Sequence, residues 1–347
     1  MGIHGRVVGF IVFSPKPLDF KLTLTCSMVA PATPMEETMN ELHRLLDHNL
    51  QLPPEYHDGL SNHLPMALHA LHSLGAGGDR LRDYFSRYVT RFEGRTGLPA
   101  AFAALRAGFD AALARDGEDA VLRRVLPDLL PGVAAAAFHG VIRTAHAVQA
   151  GHRGELAAAL AYWAWRHQPL AAPPAGEPMA FDDWAAALID SAPAFRLEAP
   201  LISLRMQQAD SSVPYLALAG RLAPRPDTLA RLAGLAVERY TASRNFTVLH
   251  MVTGLRAVRV LMPWVDDSAA AGAVLVRAFT AAYLAARVGP AASAGSNPVH
   301  AGGWPAVTAA AIASDDDHVI KLVEACRAEA AVYGVGRYLQ AAALAVS

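Results

Sequence analysis

Apolar residues recur at helical spacing along almost the whole chain. Thr33-Pro34-Met35-Glu36 has the form of a capping box with proline at the first helical position, and Met39, Leu42, Leu46 and Leu50 follow on one face. Pro53-Pro54 closes that helix. A second begins at Asn62 as N-cap, carries Pro65 in its first turn, and stops at Gly75-Ala76-Gly77-Gly78. The same periodicity predicts helices over 79–92, 98–115, 118–126, 133–150, 153–167, 181–192, 227–241, 243–262, 267–288, 304–313 and 315–345. Breaks rich in proline and glycine at 169–178, 224–226 and 289–303 separate them. Beyond residues 1–34, no convincing run alternates apolar and polar positions, and no fixed-period repeat occurs. The pattern therefore predicts an all-α fold, a single compact multi-helix domain over 35–347. A short irregular N-terminal arm, 1–34, precedes it, rich in β-branched, aromatic and proline residues that suit a short strand or a loose segment.

Composition narrows the function classes. The apolar share is 53%, and much of the excess is alanine, which favours helix and adds little bulk. A formal net charge of −1 and the lack of a basic run argue against nucleic acid as a partner. The longest apolar stretch, 269–288, carries Arg277 and Arg287, so no membrane span is expected. Near the start, Arg6 and the apolar run 7–13 are followed by Pro15-Lys16-Pro17 without a clear cleavage site. Cys26 and Cys326 make neither a disulfide framework nor a thiolate metal site, and a reducing cytoplasm is the expected compartment.

The informative feature is the placement of the 14 histidines. His63, His139, His250 and His318 sit in strongly helical, apolar surroundings, where an imidazole is costly to bury unless its nitrogens find partners. Helical geometry, about 100° per residue, turns His69 and His72 away from His63, so those two read as ordinary structural residues. His43 and His48 occupy polar positions and read as solvated. His139 and His146 share a face with Arg143 between them; His318 and Lys321 share another. Imidazoles are good ligands for iron, copper, nickel and zinc. A lysine in a dry site has a lowered pKa, and its neutral amine can take up carbon dioxide to form a carbamate, which ligates as a carboxylate does. The plainer reading of Lys321 is a surface lysine following an acidic helix start.

Four sequence blocks carry a resemblance. Asn62-His63 with the following Leu-Pro-Met-Ala-Leu and the closing Leu74-Gly75-Ala76, then Phe138-His139-Gly140-Val141-Ile142-Arg143, then Leu249-His250-Met251-Val252-Thr253, and last Asp316-Asp317-His318-Val319-Ile320-Lys321 occur in the order of the characteristic blocks of the questin oxidase-like family. The chain resembles that family from about residue 38 to its end. The resemblance implies an oxidoreductase acting on aromatic polyketides, opening an anthraquinone ring by oxygen insertion beside a carbonyl, with NADPH as reductant. The glycine-rich segments 74–78 and 333–336 follow no predicted strand and lack the setting of a dinucleotide fingerprint, so no flavin site is expected. Oxygen must then be activated by another centre.

The resulting expectation is a non-haem iron (Fe2+) oxygenase acting on a small aromatic ketone with dioxygen. His63, His139, His250 and His318 ligate the metal, and a carbamylated Lys321 adds an anionic fifth ligand. Arg143 and His146 polarise a substrate carbonyl, Thr253 hydrogen-bonds the site, and Asp317 caps its helix or orients an imidazole. Two rivals stand beside it. One is a metal-dependent hydrolase, suggested by the adjacent pair His57-Asp58; the other is a non-catalytic helical binding protein.

Overall fold

The helices begin with local capping chemistry and are completed by packing. A computed structural model describes residues 33–347 apart from 58, 95–96, 175, 197 and 291–301; residues 1–32 of the expected arm, with Cys26, lie outside the described residues. Sixteen α-helices follow among those described: α1 (Pro34–Asn49), α2 (Leu64–Leu74), α3 (Gly78–Tyr88), α4 (Ala100–Asp116), α5 (Glu118–Leu129), α6 (His139–Ala150), α7 (Arg153–Trp165), α8 (Phe181–Ser191), α9 (Ile202–Ala209), α10 (Val213–Leu218), α11 (Thr228–Ser243), α12 (Phe246–Leu261), α13 (Ser268–Ala286), α14 (Gly303–Ala313), α15 (Asp317–Tyr333) and α16 (Val335–Ala345). The all-α expectation holds. The one sheet among the described residues is a two-stranded antiparallel hairpin, β1 (Glu55–Tyr56) and β2 (Leu60–Ser61), with Tyr56 opposite Leu60.

Capping accounts for several starts. Thr33 and Glu36 form the predicted capping box of α1. Asn245 accepts from the amides of Thr247 and Val248 at the start of α12, and Asp316 does the same for His318 and Val319 at α15. Asp316 is thus the cap, and Asp317 is free for another task.

Four helices form the centre. α2 packs on α6, α6 on α12, α12 on α15, and α15 back on α2. Around this ring, α1 and α3 cover α2, α7 covers α6, α4 covers α7, α11 and α13 cover α12, and α16 closes over α15 and α11. α13 is long and apolar enough to cross a membrane by length and composition, yet 72% of its apolar window is buried inside the protein. That is the condition of a core helix.

The structure departs from the periodic pattern in three informative places. The predicted helix 315–345 is two helices, broken at Gly334, whose φ of 97° ends α15. Two short helices, α9 and α10, fill the interval after 193 that the pattern left open. Most telling, the alanine run expected to open a helix at 133 does not do so. Ala136, Ala137 and Phe138 adopt left-handed backbone (φ 49°, 56° and 67°), and α6 starts only at His139. Left-handed alanine costs roughly 1–2 kcal/mol per residue, so tertiary contacts must impose it. The Trp163 indole donates to the Gly132 carbonyl at 3.1 Å and lies so close to Gly140 that a Cβ there would meet its ring at 2.7 Å. Phe138 lies as tightly against Gly254 of α12. Both ends of the segment are pinned, and the chain between them takes the short left-handed path.

Candidate metal centre

The four central helices each bring a histidine at or near their N-terminal ends. His63 is the N-cap of α2, His139 the first residue of α6, His250 lies in the second turn of α12, and His318 is the second residue of α15. The rings form a closed circuit. His63 stacks on His139 with centroids 4.5 Å apart, His139 is 5.0 Å from His250, His250 is 5.2 Å from His318, and His318 is 4.8 Å from His63. Residues dispersed over most of the sequence thus meet at one level of the bundle.

A second level lies one and a half to two turns deeper. His69 on α2 and His146 on α6 place their Nδ1 atoms 2.8 Å apart, and Arg256 on α12 pairs with Glu324 on α15. Partners that meet at both levels require neighbouring helices to run the same way. The central bundle is therefore parallel, and all four positive helix ends lie at the histidine level. His69, assigned from helix geometry to a face without a role, is buried at this second level. The angular separation from His63 does not bring His69 to solvent, because α2 is buried on nearly every side. His72 is only half-buried, as expected of a peripheral residue.

Each ring of the circuit is oriented through Nδ1. His139 Nδ1 bonds to the carbonyl of Ala136, in the left-handed segment, and His250 Nδ1 to the Phe246 carbonyl at 2.8 Å. His63 Nδ1 lies 2.6 Å and His318 Nδ1 2.9 Å from the same Asp317 oxygen, Oδ1. The other Asp317 oxygen accepts from Arg91 at 3.0 Å, and the His63 amide donates to Tyr88 Oη at 2.9 Å. With every Nδ1 occupied, Nε2 is the nitrogen left for a ligand. His139 Nε2 and His318 Nε2 are buried and have no hydrogen-bond partner. This donor set fits a metal ion: imidazoles each oriented through Nδ1 by a carbonyl or carboxylate behind it, with Nε2 turned to the shared centre. His63, Asp317 and His318 alone also bring ligand-type atoms within 4.8 Å of one another. The wider set of four imidazoles accounts for the orphaned Nε2 of His139 as well, with Asp317 behind two of its members.

Electrostatics agrees. Burial lowers His63 to about 3, helped by the Lys321 charge and opposed by Asp317. Burial and neighbouring charges hold His139 and His250 well below the ordinary histidine value. Burial raises the Asp317 carboxyl, but His63, His318 and Lys321 outweigh it and hold the group well below the usual carboxylate range. Lys321 is buried with Nζ 3.8 Å from Asp317 Oδ1, and burial brings it down to about 8. It is not the surface lysine of the plainer reading. Its acidic partner is the carboxylate behind the imidazoles.

The circuit opens on a cavity of about 320 Å³, which all four histidines line. Ala136, Ala137, Leu201, Ile202 and Phe246 supply apolar wall. The Phe246 ring lies 4.8 Å from His250 and 4.6 Å from His318 while remaining half exposed. A polar strip in the cavity wall was not anticipated. Ser61 Oγ is 2.7 Å from Tyr162 Oη, which donates to Glu55 at 3.0 Å, and Glu55 pairs with Arg166 at 3.2 Å. Ser61 and Arg166 both face the cavity. The only sequence signal for this strip was the closeness of Ser61 to His63; the hairpin that presents it is too short to leave a periodicity.

The three residues expected against the substrate are placed elsewhere. Arg143 is buried in a bidentate pair with Glu155, 2.5 and 3.0 Å, and Glu155 is tied through Asn49 to Asn62, the residue before His63. It braces the His63 turn rather than reaching the cavity. His146 faces His69 at the second level, and the Thr253 hydroxyl bonds back to the carbonyls of Leu249 and His250. None of the three lines the cavity. The face shared by His139, Arg143 and His146 is real, but it runs down the bundle away from the opening. His57 is exposed on the hairpin turn and does not line the cavity either; Asp58 lies outside the described residues. His43, expected to be solvated, is partly buried and bonds to the Ala150 carbonyl at 2.7 Å.

No protein-family model matches the chain, and no curated protein matches it in sequence.

Proposed function

We propose that this protein is a histidine-ligated, non-haem iron oxygenase acting on a polycyclic aromatic ketone. The observation that carries the reading is the circuit of four imidazoles, each held at Nδ1, with buried unpartnered Nε2 atoms beside a largely apolar cavity. The resemblance of four sequence blocks to the questin oxidase-like family supports the same class. The net reaction is insertion of one oxygen atom of dioxygen into the bond between a carbonyl carbon and its neighbour. The second atom leaves as water, with a hydride from NADPH and a proton supplying the reduction.

His63, His139, His250 and His318 would hold the ion, and a bound iron would supply Lewis acidity and one-electron reactivity toward dioxygen. The chain's own residues do the rest. Asp317 fixes two ligand rings and offsets the cation's charge from behind. Lys321 stands buried next to that carboxylate, and carbamylation of its neutral form by carbon dioxide, with loss of a proton, would supply an anionic ligand group. The apolar wall excludes water and takes a flat ring system; about 320 Å³ falls within the usual range of about 300–1,000 Å³ for small-molecule sites. Ser61 Oγ presents a hydroxyl to the substrate oxygen, and Tyr162 Oη and Glu55 form a path along which a proton can move outward.

The test is metal content together with oxygen uptake. The wild type loaded anaerobically with Fe2+ is expected to retain iron through desalting and consume dioxygen when given an anthraquinone-type ketone and NADPH. His250→Ala is expected to lose both properties. A wild type that binds no transition metal ends the reading. Retained metal without oxygen uptake, but with hydrolysis of an ester or phosphoester, transfers the site to the hydrolase class.

A further inference from the structure

Beside the histidine cavity lies a larger open cleft, about 570 Å³, bounded by Glu198, Arg205, Asn245, Phe246 and Arg287. Pro200, Arg205 and Phe246 belong to the walls of both spaces, so the two are continuous around the Phe246 ring. We propose that this cleft binds the anionic group, a carboxylate or phosphate, of a ligand whose apolar body occupies the histidine cavity.

The argument is one of unbalanced charge. Most arginines here have an acidic partner: Arg80, Arg87, Arg91, Arg143, Arg231, Arg256 and Arg259 all do. Arg205 and Arg287 have none among the described residues. Arg205 donates to the Ala199 carbonyl at 2.9 Å, and Arg287 Nε is buried with no hydrogen-bond partner. Burial and the charge of Arg287 both pull the Arg205 guanidinium below its ordinary value, so the two cations lie close enough to repel each other. Glu198 at the rim is exposed and pairs with neither. The segment that follows Arg287, residues 288–302, contains no Asp or Glu in its sequence. Two guanidiniums lining one cleft without a counter-charge form a site for an anion, because a bound carboxylate or phosphate removes the repulsion and takes up their outward N–H groups. The first turn of α12 reaches the same cleft through Asn245, Phe246 and Thr247, and the positive end of that helix adds to the preference.

The proposal rests on the functional reading above only for the identity of the apolar body, and the test separates the two. Binding of 2-naphthoate and of its neutral isostere 2-naphthamide is measured by calorimetry on the full chain. The wild type is expected to prefer the carboxylate by about tenfold or more, as charge-assisted hydrogen bonds imply. Arg205→Gln with Arg287→Gln should abolish that preference, bringing naphthoate down to the affinity of naphthamide measured on the same variant. Arg205→Lys with Arg287→Lys should keep most of it, which guards against a folding artefact. His250→Ala should lose metal yet keep the preference, so failure of the metal centre does not imitate failure of the cleft. Adenosine 2′,5′-bisphosphate, titrated in parallel, tells a phosphorylated co-reactant from a substrate carboxylate. Tight binding of either anion that disappears in the glutamine variant supports the site. Equal affinity for naphthoate and naphthamide in the wild type, with no bisphosphate binding, overturns it, as does a preference that survives in the glutamine variant.

Discussion

Asp317 is the residue on which the histidine circuit depends most. One of its oxygens serves both His63 and His318, and the other is anchored by Arg91. Replacing it with asparagine removes the charge while keeping the shape. Carboxylates behind ligand histidines typically contribute about 10–100-fold to metal affinity, so Asp317→Asn is expected to weaken iron binding by about that factor with unchanged helicity. The neighbouring Asp316→Asn makes a stringent control. Asp316 caps two backbone amides, which asparagine does as well as aspartate, and its Oδ1 lies 3.5 Å from His318 Nδ1 against 2.9 Å for Asp317, so metal affinity should fall much less than in Asp317→Asn. Chelator competition on the two variants decides the matter; equal affinities for Asp317→Asn and wild type would remove the carboxylate from its assigned role.

Among the elements, α12 does two jobs at once. It carries His250 toward the cavity and, one turn on, offers Gly254 as the flat spot on which Phe138 rests. That contact holds the left-handed segment whose Ala136 carbonyl orients His139. Helix propensity predicts that Gly254→Ala stabilises the protein by about 1 kcal/mol. Packing predicts the reverse, because the added Cβ would meet the Phe138 ring at 2.8 Å, and overpacking typically costs about 1–3 kcal/mol. Packing is expected to win, with a lower denaturant midpoint for Gly254→Ala. Gly108, exposed on α4 with nothing within 4 Å of its built Cβ, should show the opposite sign. Gly108→Ala is expected to stabilise by about 0.5–1 kcal/mol. If both variants shift stability in the same direction, the close approach at Gly254 is not what shapes the segment.

For the whole molecule, the burial of so many neutral imidazoles has a cost that appears in acid. His63 and His69 are lowered to about 3, and His139, His146 and His250 lie well below the ordinary value of 6.5, each chiefly through burial. Between about 3 and 6.5 the unfolded chain binds protons that the folded one does not. Stability is therefore fully present above 6.5 and lost progressively as the pH falls toward the folded values. Each such imidazole contributes a slope of about 1.4 kcal/mol per pH unit inside its window. Metal-free protein should show a steep fall in denaturant midpoint between pH 6.5 and 5, and His69→Gln with His146→Gln should flatten part of it. A midpoint insensitive to pH across that range would mean the imidazoles are solvated rather than buried.

Much of this was legible along the chain. The 3.6-residue period, the capping box at Thr33 and the punctuation by proline and glycine determine an all-α protein, because these are local preferences of backbone and solvent. The same reading singled out His63, His139, His250 and His318 from 14 candidates, since an imidazole in an apolar stretch needs a partner. Which direction a helix runs, and which neighbour it meets, are not local properties. Only the tertiary structure made α2, α6, α12 and α15 parallel, so that residues far apart in sequence fall into two levels. It also turned Arg143, His146 and Thr253 away from the cavity and paired each inside the protein. The Ser61–Tyr162–Glu55 strip and the uncompensated Arg205 and Arg287 belong to the same class. Each depends on the distance between chain segments that come together only when the bundle closes, and such distances leave no periodicity in a sequence.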